Sequence, residues 1–316
     1  MRDKIAPTFA DTTKDTMTSL TSKPKVRWTP RTLTILFFCW LGAMRPSVAR
    51  HYITDAVRYR LVKLGVPSRT AKHIAEVTAE FEEKAAQGQF QERWFDMNIV
   101  PWCVTFPKVF DRADPVRILE IGSWEGRSSL FFLTYFSRGT LTAVDTWAGS
   151  DEWHYNATPD LRDLEARFDS NVSSGATRVT KRKGSSLNVL PQLLSEKQEF
   201  DIIYVDGSHF SDDAIVDCLN SWRLLKQGGV IIFDDVMWPA YPRARANTAW
   251  AINQFLKYHP GEYRVLHAQY QIILQKKHAF VDEIADWVSK PPAPAAISDP
   301  SNNGRQPEQT HQHQLG

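Results

Sequence analysis

The feature that most constrains the fold is an alternation of short apolar runs and amphipathic stretches between Val116 and Lys277. The apolar runs are rich in Val, Ile and Leu, as is typical of strands that are buried on both faces of a parallel sheet. The pattern predicts strands at Val116–Ile121, Thr140–Asp145, Thr177–Arg182, Asp201–Asp206 and Val230–Asp234.

Two further strands, Tyr263–His267 and Tyr270–Gln275, have so little chain between them that they can pair only as a tight antiparallel hairpin. The segment Asp212–Lys226 predicts a helix that Gly228-Gly229 ends. Its expected buried face carries Ile215, Leu219, Trp222 and Leu225. Strand–helix alternation closed by a hairpin predicts an α/β fold with a doubly wound, mostly parallel, seven-stranded Rossmann-like sheet.

Four regions are expected along the chain. Residues 1–50 form a polar and basic leader with a short apolar segment, and residues 51–110 form a helical N-terminal extension. Residues 111–278 form the main domain, and residues 279–316 form a short helix and a disordered tail rich in Pro, Asn and Gln. The apolar run at residues 33–44 is shorter than the roughly 20 residues that span a bilayer. A packed helix or a loose leader is favoured there over a signal peptide or membrane contact, although membrane association stays open.

Net charge and cysteine content indicate which kinds of binding partner and which cellular compartment to expect. A net charge of +2 gives no case for a nucleic-acid partner, since a strong basic excess is the usual footprint of one. Cys39, Cys103 and Cys218 form no CxxC pair and no disulfide framework. A reducing, cytoplasmic location is therefore expected, and homodimerisation is left open.

A glycine turn follows the first predicted strand, in the sequence "EIGSWEGRSS". A dinucleotide site needs a glycine where Trp124 stands, and Glu125 would place negative charge near any phosphate. A turn bracketed by Gly122 and Gly126 therefore suits a nucleoside ligand without phosphates. Asp145 ends the next strand about 20 residues on, where an acid can bind ribose hydroxyls. A turn with a purely structural role is the plainer alternative.

Four successive motifs, "LEIGSWEGRSS", "LTAVDTW", "FDIIYVDGSH" and "GGVIIFDDV", resemble those of class I S-adenosylmethionine-dependent methyltransferases. Within that class they resemble the small-molecule O-methyltransferases of the family-24 type, which include catechol and macrolide-sugar enzymes. The resemblance implies a methyltransferase sheet with S-adenosylmethionine as cofactor and a small-molecule hydroxyl acceptor, such as a sugar, glycoside or phenol. The residues that it implies at the cofactor are Glu120, Gly122, Ser123, Trp124, Gly126, Ser128, Asp145, Thr146, Ser185, Ser186 and Asp206.

An acidic rim is expected at the carboxyl ends of the fourth and fifth strands. The resemblance implies that Asp206, Asp234 and Asp235 hold Mg²⁺, with Asp235 standing where catechol-type enzymes have Asn. His209 stands where those enzymes have a catalytic lysine, and it could remove the acceptor proton near neutral pH. The alternatives are helix capping for the aspartates and an orienting role for His209.

Aromatic residues after the acidic strand ends are candidates for acceptor contact, and equally for packing. They are Trp147, Trp153, His154, Tyr155, Trp238 and Tyr241. The pair Met97-Asn98 resembles part of a helix that covers the cofactor in relatives, and Arg243 and Arg245 could attract an anionic acceptor. Metal-independent N- or O-methylation, a non-catalytic S-adenosylmethionine-binding module and an NAD-dependent dehydrogenase remain the competing interpretations.

Overall fold

The computed structural model describes residues 46–64, 68–149, 161–239 and 241–278, together with the single positions Pro30, Leu33 and Phe37. The predictions for most of the leader, for the tail from Ala279, and for Trp153, His154 and Tyr155 lie outside the described residues. All of the described residues belong to one compact unit that ends at His278.

Within the described residues, seven strands form one mixed sheet. They are β1 (Arg117–Ile121), β2 (Thr140–Asp145), β3 (Val179–Lys183), β4 (Phe200–Val205), β5 (Leu225–Phe233), β6 (Tyr263–Ala268) and β7 (Ile272–Lys276). Their order is β3-β2-β1-β4-β5-β7-β6, in which β1 to β5 run parallel and β7 pairs antiparallel with both neighbours. The predicted fold class, including the reversed hairpin at one edge, is confirmed.

The strand order reverses beside β1. The chain moves outward from β1 through β2 to β3 and then returns to place β4 on the other side of β1. The carboxyl ends of β1 and β4 therefore lie side by side, with Ile121 opposite Val205. A crevice at such a switch point is where open α/β sheets bind their ligands.

Helices flank the sheet. They are α1 (Pro46–Lys63), α2 (Arg69–Ala85), α3 (Ile99–Thr105), α4 (Arg127–Tyr135), α5 (Leu164–Asn171), α6 (Ser186–Ser195), α7 (Ser211–Leu224) and α8 (Thr248–Tyr258). Ser68 caps α2, since its side chain accepts a hydrogen bond from the Ala71 amide. Among the described residues, no helix is both long enough and apolar enough to cross a bilayer.

The end of α7 differs from the prediction. The helix stops at Leu224 and the chain enters β5 at once, so that Gly228-Gly229 lies inside the strand rather than at a helix end. The pairing of β4 with β5 shifts register between Phe200 and Ile202, beside these glycines. A side chain at Gly229 would place a Cβ 2.9 Å from the Asp201 carbonyl oxygen, so the close approach of two backbones explains the glycine.

The buried face of α7 also differs from the predicted one. Leu219 is 36% exposed, whereas Asp217 and Ser221 are fully buried. Because two polar side chains stand on the buried face, a search for apolar periodicity places that face wrongly. Trp222 alone of the predicted set behaves on the helix as expected, at 2% exposed.

An aromatic cluster joins the N-terminal helices to the sheet. Trp102 of α3 is fully buried, with its ring centroid 4.5 Å from Phe132 and 5.6 Å from Phe131 of α4. Phe81 of α2 meets Phe131 at 5.4 Å. The hydrophobic core therefore runs across the expected division at residue 110, and α2 and α3 share the core of the main domain.

Candidate active site

The glycine turn packs directly against the end of β4. Gly122 and Gly126 both adopt left-handed backbone, with φ of 85° and 80°. A Cβ on Gly122 would lie 1.9 Å from the Asp206 carbonyl oxygen, so only glycine fits there. Asp206 in turn donates its amide to the Ile121 carbonyl at 2.9 Å. The turn and the first residue of the acidic rim are therefore in contact.

Several non-glycine residues also adopt left-handed backbone, which is strained for them. Among the described residues, positive φ at non-glycine positions occurs at Trp124, Trp147, Lys197 and Asp235. Three of the four lie in segments that the sequence assigns to the site. Left-handed backbone is costly for bulky side chains and tends to persist where function requires it. The crevice thus concentrates the strained backbone of the described chain.

Glu120 is fully buried beneath the turn. Burial raises the pKa of its carboxyl from 4.5 to about 7, although hydrogen bonds from the Ser128 and Ser129 hydroxyls act in the opposite direction. Ser129 donates to Glu120 from the first turn of α4. Ser128 was predicted at the site, whereas Ser129 was not, since only the spacing of the helix shows that both hydroxyls reach Glu120.

Asp145 links the glycine turn to the loop after β2. Its two carboxylate oxygens accept hydrogen bonds from the Trp124 amide at 2.8 Å and from the Trp147 amide at 2.6 Å. Burial raises the pKa of Asp145, while these backbone bonds lower it in part. A carboxylate oxygen has a second lone pair, so each can still accept a hydroxyl.

The end of β3 lies next to Asp145. Lys183 pairs with Asp145 in the sheet, and the Gly184 amide donates to the Asp145 carbonyl at 2.9 Å. Ser185 and Ser186 follow at the start of α6, and the Ser186 hydroxyl donates to Asp217 of α7 at 3.0 Å. Thr146 takes part in the turn after β2, where its hydroxyl accepts from the Ala148 amide at 3.2 Å.

Three titratable side chains converge at the ends of β4 and β5. One ligand atom from each of Asp206, His209 and Asp235 lies within 4.8 Å of the others. The His209 Nε2 is in hydrogen-bond contact with Asp235. Trp238 packs edge-on against the His209 ring, with the centroids 4.5 Å apart. The cluster therefore holds an imidazole between a carboxylate and an indole.

Asp234 is not part of this convergent set, which differs from the predicted metal ligands. Its Oδ2 accepts from Asn98 at 3.0 Å and from Gln271 at 2.8 Å, and its Oδ1 accepts from the Asp235 amide at 2.7 Å. The Tyr204 hydroxyl contacts both Asp234 and Asp206, and its single proton can serve one of them at a time. Donors from several elements thus engage Asp234, and His209 stands in the cluster where Asp234 was predicted.

Asn98 and Gln271 differ in how visible they are in the sequence. The pair Met97-Asn98 gave a weak signal, and the structure separates its members, with Met97 52% exposed and Asn98 buried against Asp234. Gln271 gave no signal, since it stands in the hairpin after the last motif. It also accepts from the Trp102 indole at 2.8 Å, which ties the acidic rim to α3.

Glu125 points away from the crevice rather than toward a ligand. Its carboxylate accepts from the Gln91 amide at 2.8 Å and from Arg167 at 3.1 Å. Nearby, Arg127 donates to Asp96 at 2.5 Å and to Glu82 at 2.8 Å, while its guanidinium lies over Phe81. These charges fasten residues 82–96 to the glycine turn.

The aromatic candidates separate into packing and crevice residues. Trp147 is 4% exposed and packs on Phe168 at 5.0 Å, so it is a core residue rather than an acceptor platform. Tyr241 meets Phe210 at 5.7 Å, at the rim beyond His209. Trp238, against His209, is the best-placed candidate. Arg243 precedes a short 3-10 turn at Ala244–Ala246, and Arg245 is the middle residue of that turn.

A comparison with known families covers the segment that carries the glycine turn and the acidic strand ends. Residues 119–236 match the model of a family described as a methyltransferase domain, which covers the turn and the rim. This segment is therefore a methyltransferase domain, and the resemblance drawn from the motifs is confirmed.

Curated and solved proteins give more distant likenesses. The chain is 32% identical over 135 residues to the O-methyltransferase hkm8 of Aspergillus hancockii, covering 42% of this chain and 47% of that protein. It is 25% identical over 158 residues to the uncharacterized protein R132 of Acanthamoeba polyphaga mimivirus, covering 48% of this chain and 67% of that protein. The match thus spans about half the length of the first relative. A solved O-methyltransferase from Bacillus cereus, in complex with SAH, aligns with a TM-score of 0.42 at 19% identity, over 70% of this chain and 97% of that one.

Proposed function

We propose that this protein transfers the methyl group of S-adenosylmethionine to a hydroxyl oxygen of a small molecule. The observation that carries the proposal is the cluster of Asp206, His209 and Asp235 at a strand edge whose backbone touches the glycine turn. The methyltransferase domain supports the cofactor, and the relative named as an O-methyltransferase supports an oxygen acceptor.

The cofactor is proposed to lie across the carboxyl ends of β1, β2 and β3. Its methionine part would lie on the glycine turn above Glu120, whose carboxyl has a pKa of about 7 and in its charged form can meet the ammonium group. Asp145 would bind the ribose through its remaining lone pairs. Ser185 and Ser186 would lie beside the adenine, next to the end of β3. This arrangement directs the sulfonium toward the end of β4.

The reaction is an in-line displacement. A lone pair of the acceptor oxygen attacks the methyl carbon while the carbon–sulfur bond breaks and its electron pair goes to sulfur. The acceptor proton passes to the imidazole of His209. Asp235 contacts that ring and stabilises the imidazolium which forms, and Trp238 limits its rotation. S-adenosylhomocysteine and the methyl ether leave as products.

The same cluster fits a divalent cation. Asp206 and Asp235 offer carboxylate oxygens, which suit Mg²⁺, and His209 offers a nitrogen, which suits transition metals better. Asp206 and Asp235 would hold Mg²⁺, and His209 would serve as the base. A bound cation would polarise the acceptor oxygen and ease loss of its proton.

A metal-independent O-methyltransferase is the second candidate. The direct contact between His209 and Asp235 favours it, because a histidine oriented by a carboxylate is a complete general base. The two candidates make opposite predictions for a chelator. Activity that survives EDTA supports the base alone, and activity that returns only with added Mg²⁺ supports the cation.

The first experiment is calorimetric titration with S-adenosylhomocysteine, with and without Mg²⁺, on the wild type and Asp145→Ala. We expect binding by the wild type and a large loss in the variant. A screen of phenols and sugars with labelled methyl donor then follows, comparing His209→Gln with His278→Gln. His278 comes after β7, which runs antiparallel to β5. The end of β7 therefore lies near the start of β5, away from the carboxyl ends that form the crevice. Absence of S-adenosylhomocysteine binding to the wild type would refute the proposed function.

A further inference from the structure

Helix α1 presents an apolar stripe to solvent. Ile53, Val57, Leu61 and Leu64 are 70%, 56%, 47% and 71% exposed. Steps of four, four and three residues place all four on one side of a helix. Single exposed apolar residues are ordinary on a protein surface, whereas four in one contiguous row mark an interaction site.

Contacts on the opposite side of α1 hold the helix in an orientation that keeps the apolar stripe in solvent. Asp55 is 2% exposed and pairs with His267 Nδ1 of β6 at 3.0 Å, and it also accepts from the Ala268 amide at 3.3 Å. Val48 is fully buried, and Tyr59 packs on His267 with the ring centroids 5.4 Å apart. The helix cannot roll to bury its apolar row without breaking the buried contact between Asp55 and His267.

Positive charge is concentrated in the same part of the chain. Residues 17–68 contain nine Lys and Arg but a single acid, the buried Asp55. Since the whole chain carries +2 and this segment carries +8, the remainder carries −6. Arg50 and Arg60 are exposed and lie on the same side of α1 as the apolar row. The exposed charges described beside the stripe are therefore basic, whereas the sequence outside residues 17–68 is acidic overall.

The chain just before α1 adds apolar surface. Leu33 and Phe37 stand one helical turn apart and are 53% and 51% exposed. They belong to the run "LTILFFCWLGAM" at residues 33–44, which contains no charged residue. Apolar side chains next to exposed arginines are the composition of segments that lie in the plane of a membrane interface.

We propose that α1, with the exposed side chains of Leu33 and Phe37 ahead of it, docks on the surface of an anionic phospholipid bilayer. The apolar row enters the boundary between headgroups and acyl chains, while Arg50 and Arg60 remain at the level of the phosphates. A second copy of this chain is the less suitable occupant, because it would bring two basic surfaces together. A nucleic acid would leave the apolar row without a partner.

The test is flotation of the purified full chain with vesicles of phosphatidylcholine containing about one third phosphatidylserine, against vesicles of phosphatidylcholine alone. We expect the protein to float with the anionic vesicles and to be released by high salt, since screening weakens the attraction. Sedimentation in the absence of vesicles is run in parallel to establish whether the protein is a monomer. A protein that floats with neither vesicle overturns the proposal.

Two pairs of variants locate the surface. Ile53→Glu with Leu61→Glu should reduce vesicle partition on the order of a hundredfold, whereas Val216→Glu with Leu219→Glu on α7 should leave it unchanged. Arg50→Gln with Arg60→Gln should reduce partition roughly tenfold or more, and Arg138→Gln with Arg223→Gln should not. All eight positions are exposed, so the fold should tolerate the changes.

The outcomes separate the candidate occupants. Equal loss of partition in the α1 variants and their matched controls overturns the assignment of the surface. A wild-type dimer that ignores vesicles and dissociates on Ile53→Glu with Leu61→Glu assigns the stripe to a second copy instead. None of these readouts depends on cofactor binding or on methyl transfer.

Discussion

Replacing Asp217 by Asn should stabilise the fold increasingly as the pH rises. Asp217 of α7 is fully buried, and its Oδ2 accepts from the Ser186 hydroxyl at 3.0 Å. Its Oδ1 has no hydrogen-bond partner among the described residues. Burial raises the pKa of this carboxyl from 3.8 to about 7. Asn keeps the shape and an acceptor for Ser186 but carries no charge at any pH.

The sign and size follow from that pKa. A carboxyl with a raised folded-state pKa costs nothing below pH 3.8, and its cost grows as the pH rises from 3.8 to about 7, above which it is constant. Across that window, each pH step of one lowers the free energy of unfolding by about 1.4 kcal/mol. Between pH 5 and pH 8 the wild type should therefore lose about 2.5 kcal/mol relative to Asp217→Asn.

Urea unfolding at pH 5 and pH 8 measures this difference directly, because other titrating groups are shared by the two proteins and cancel. Asp212→Asn, an exposed position on the same helix, is the matched control and should show no comparable gain. A difference between Asp217→Asn and the wild type that is the same at both pH values would refute the reasoning. It would mean that Asp217 is charged at pH 5 in the folded protein.

Three further changes test the crevice. Gly122→Ala should lower the free energy of unfolding by more than about 3 kcal/mol, because its Cβ would lie 1.9 Å from a carbonyl oxygen. Gly228→Ala is the control and should cost about 1 kcal/mol, since its Cβ would have nothing within 4 Å. Urea unfolding measures both variants. Asn98→Ala removes a donor from buried Asp234 and should cost about 1–3 kcal/mol in thermal unfolding. Arg127→Met keeps an apolar stem over the aromatic rings, loses two ion pairs and should cost about 1–2 kcal/mol in urea.

Matched control variants accompany the changes at Asn98 and Arg127. Gln275→Ala removes an exposed amide contact to the Gly228 carbonyl and should cost much less than Asn98→Ala. Lys183→Met breaks a surface pair with Glu165 and should cost less than about 1 kcal/mol. If either control lost as much free energy of unfolding as its buried counterpart, burial would not explain the contribution of Asn98 or Arg127 to stability.

The sheet could be predicted because its strands are buried on both faces and so read as continuous apolar runs. The prediction for Thr140–Asp145 matches β2 at both ends, and the others lie within a few residues of the observed strands. The exception is β5, which begins five residues earlier than predicted, at Leu225. Glycines that relieve a close backbone contact look like helix terminators in a sequence, and only the neighbouring strand shows the difference.

Site residues that directly follow a strand could be predicted from the sequence. Contacts between residues of distant segments could not. Asp206 and Asp235 are visible as acids that follow apolar runs. The engagement of Asp234 depends on Asn98 and Gln271, which are 173 positions apart in the sequence and meet only through packing of α3 against the hairpin. Orientation of a carboxylate is therefore a tertiary property, and two adjacent aspartates can face different partners.

The fastening of residues 82–96 to the glycine turn sets where this protein can be cut. A shortened version that begins at residue 111 would keep every signature motif yet lose Trp102, Phe81 and Phe95 from the aromatic cluster. It would expose the face of α4 around Phe131 and remove the donor that Asn98 gives to Asp234. Such a fragment should be insoluble or misassembled at the crevice. The smallest recombinant unit should begin ahead of α1, because Asp55 of that helix is buried against His267 and Ala268 of β6.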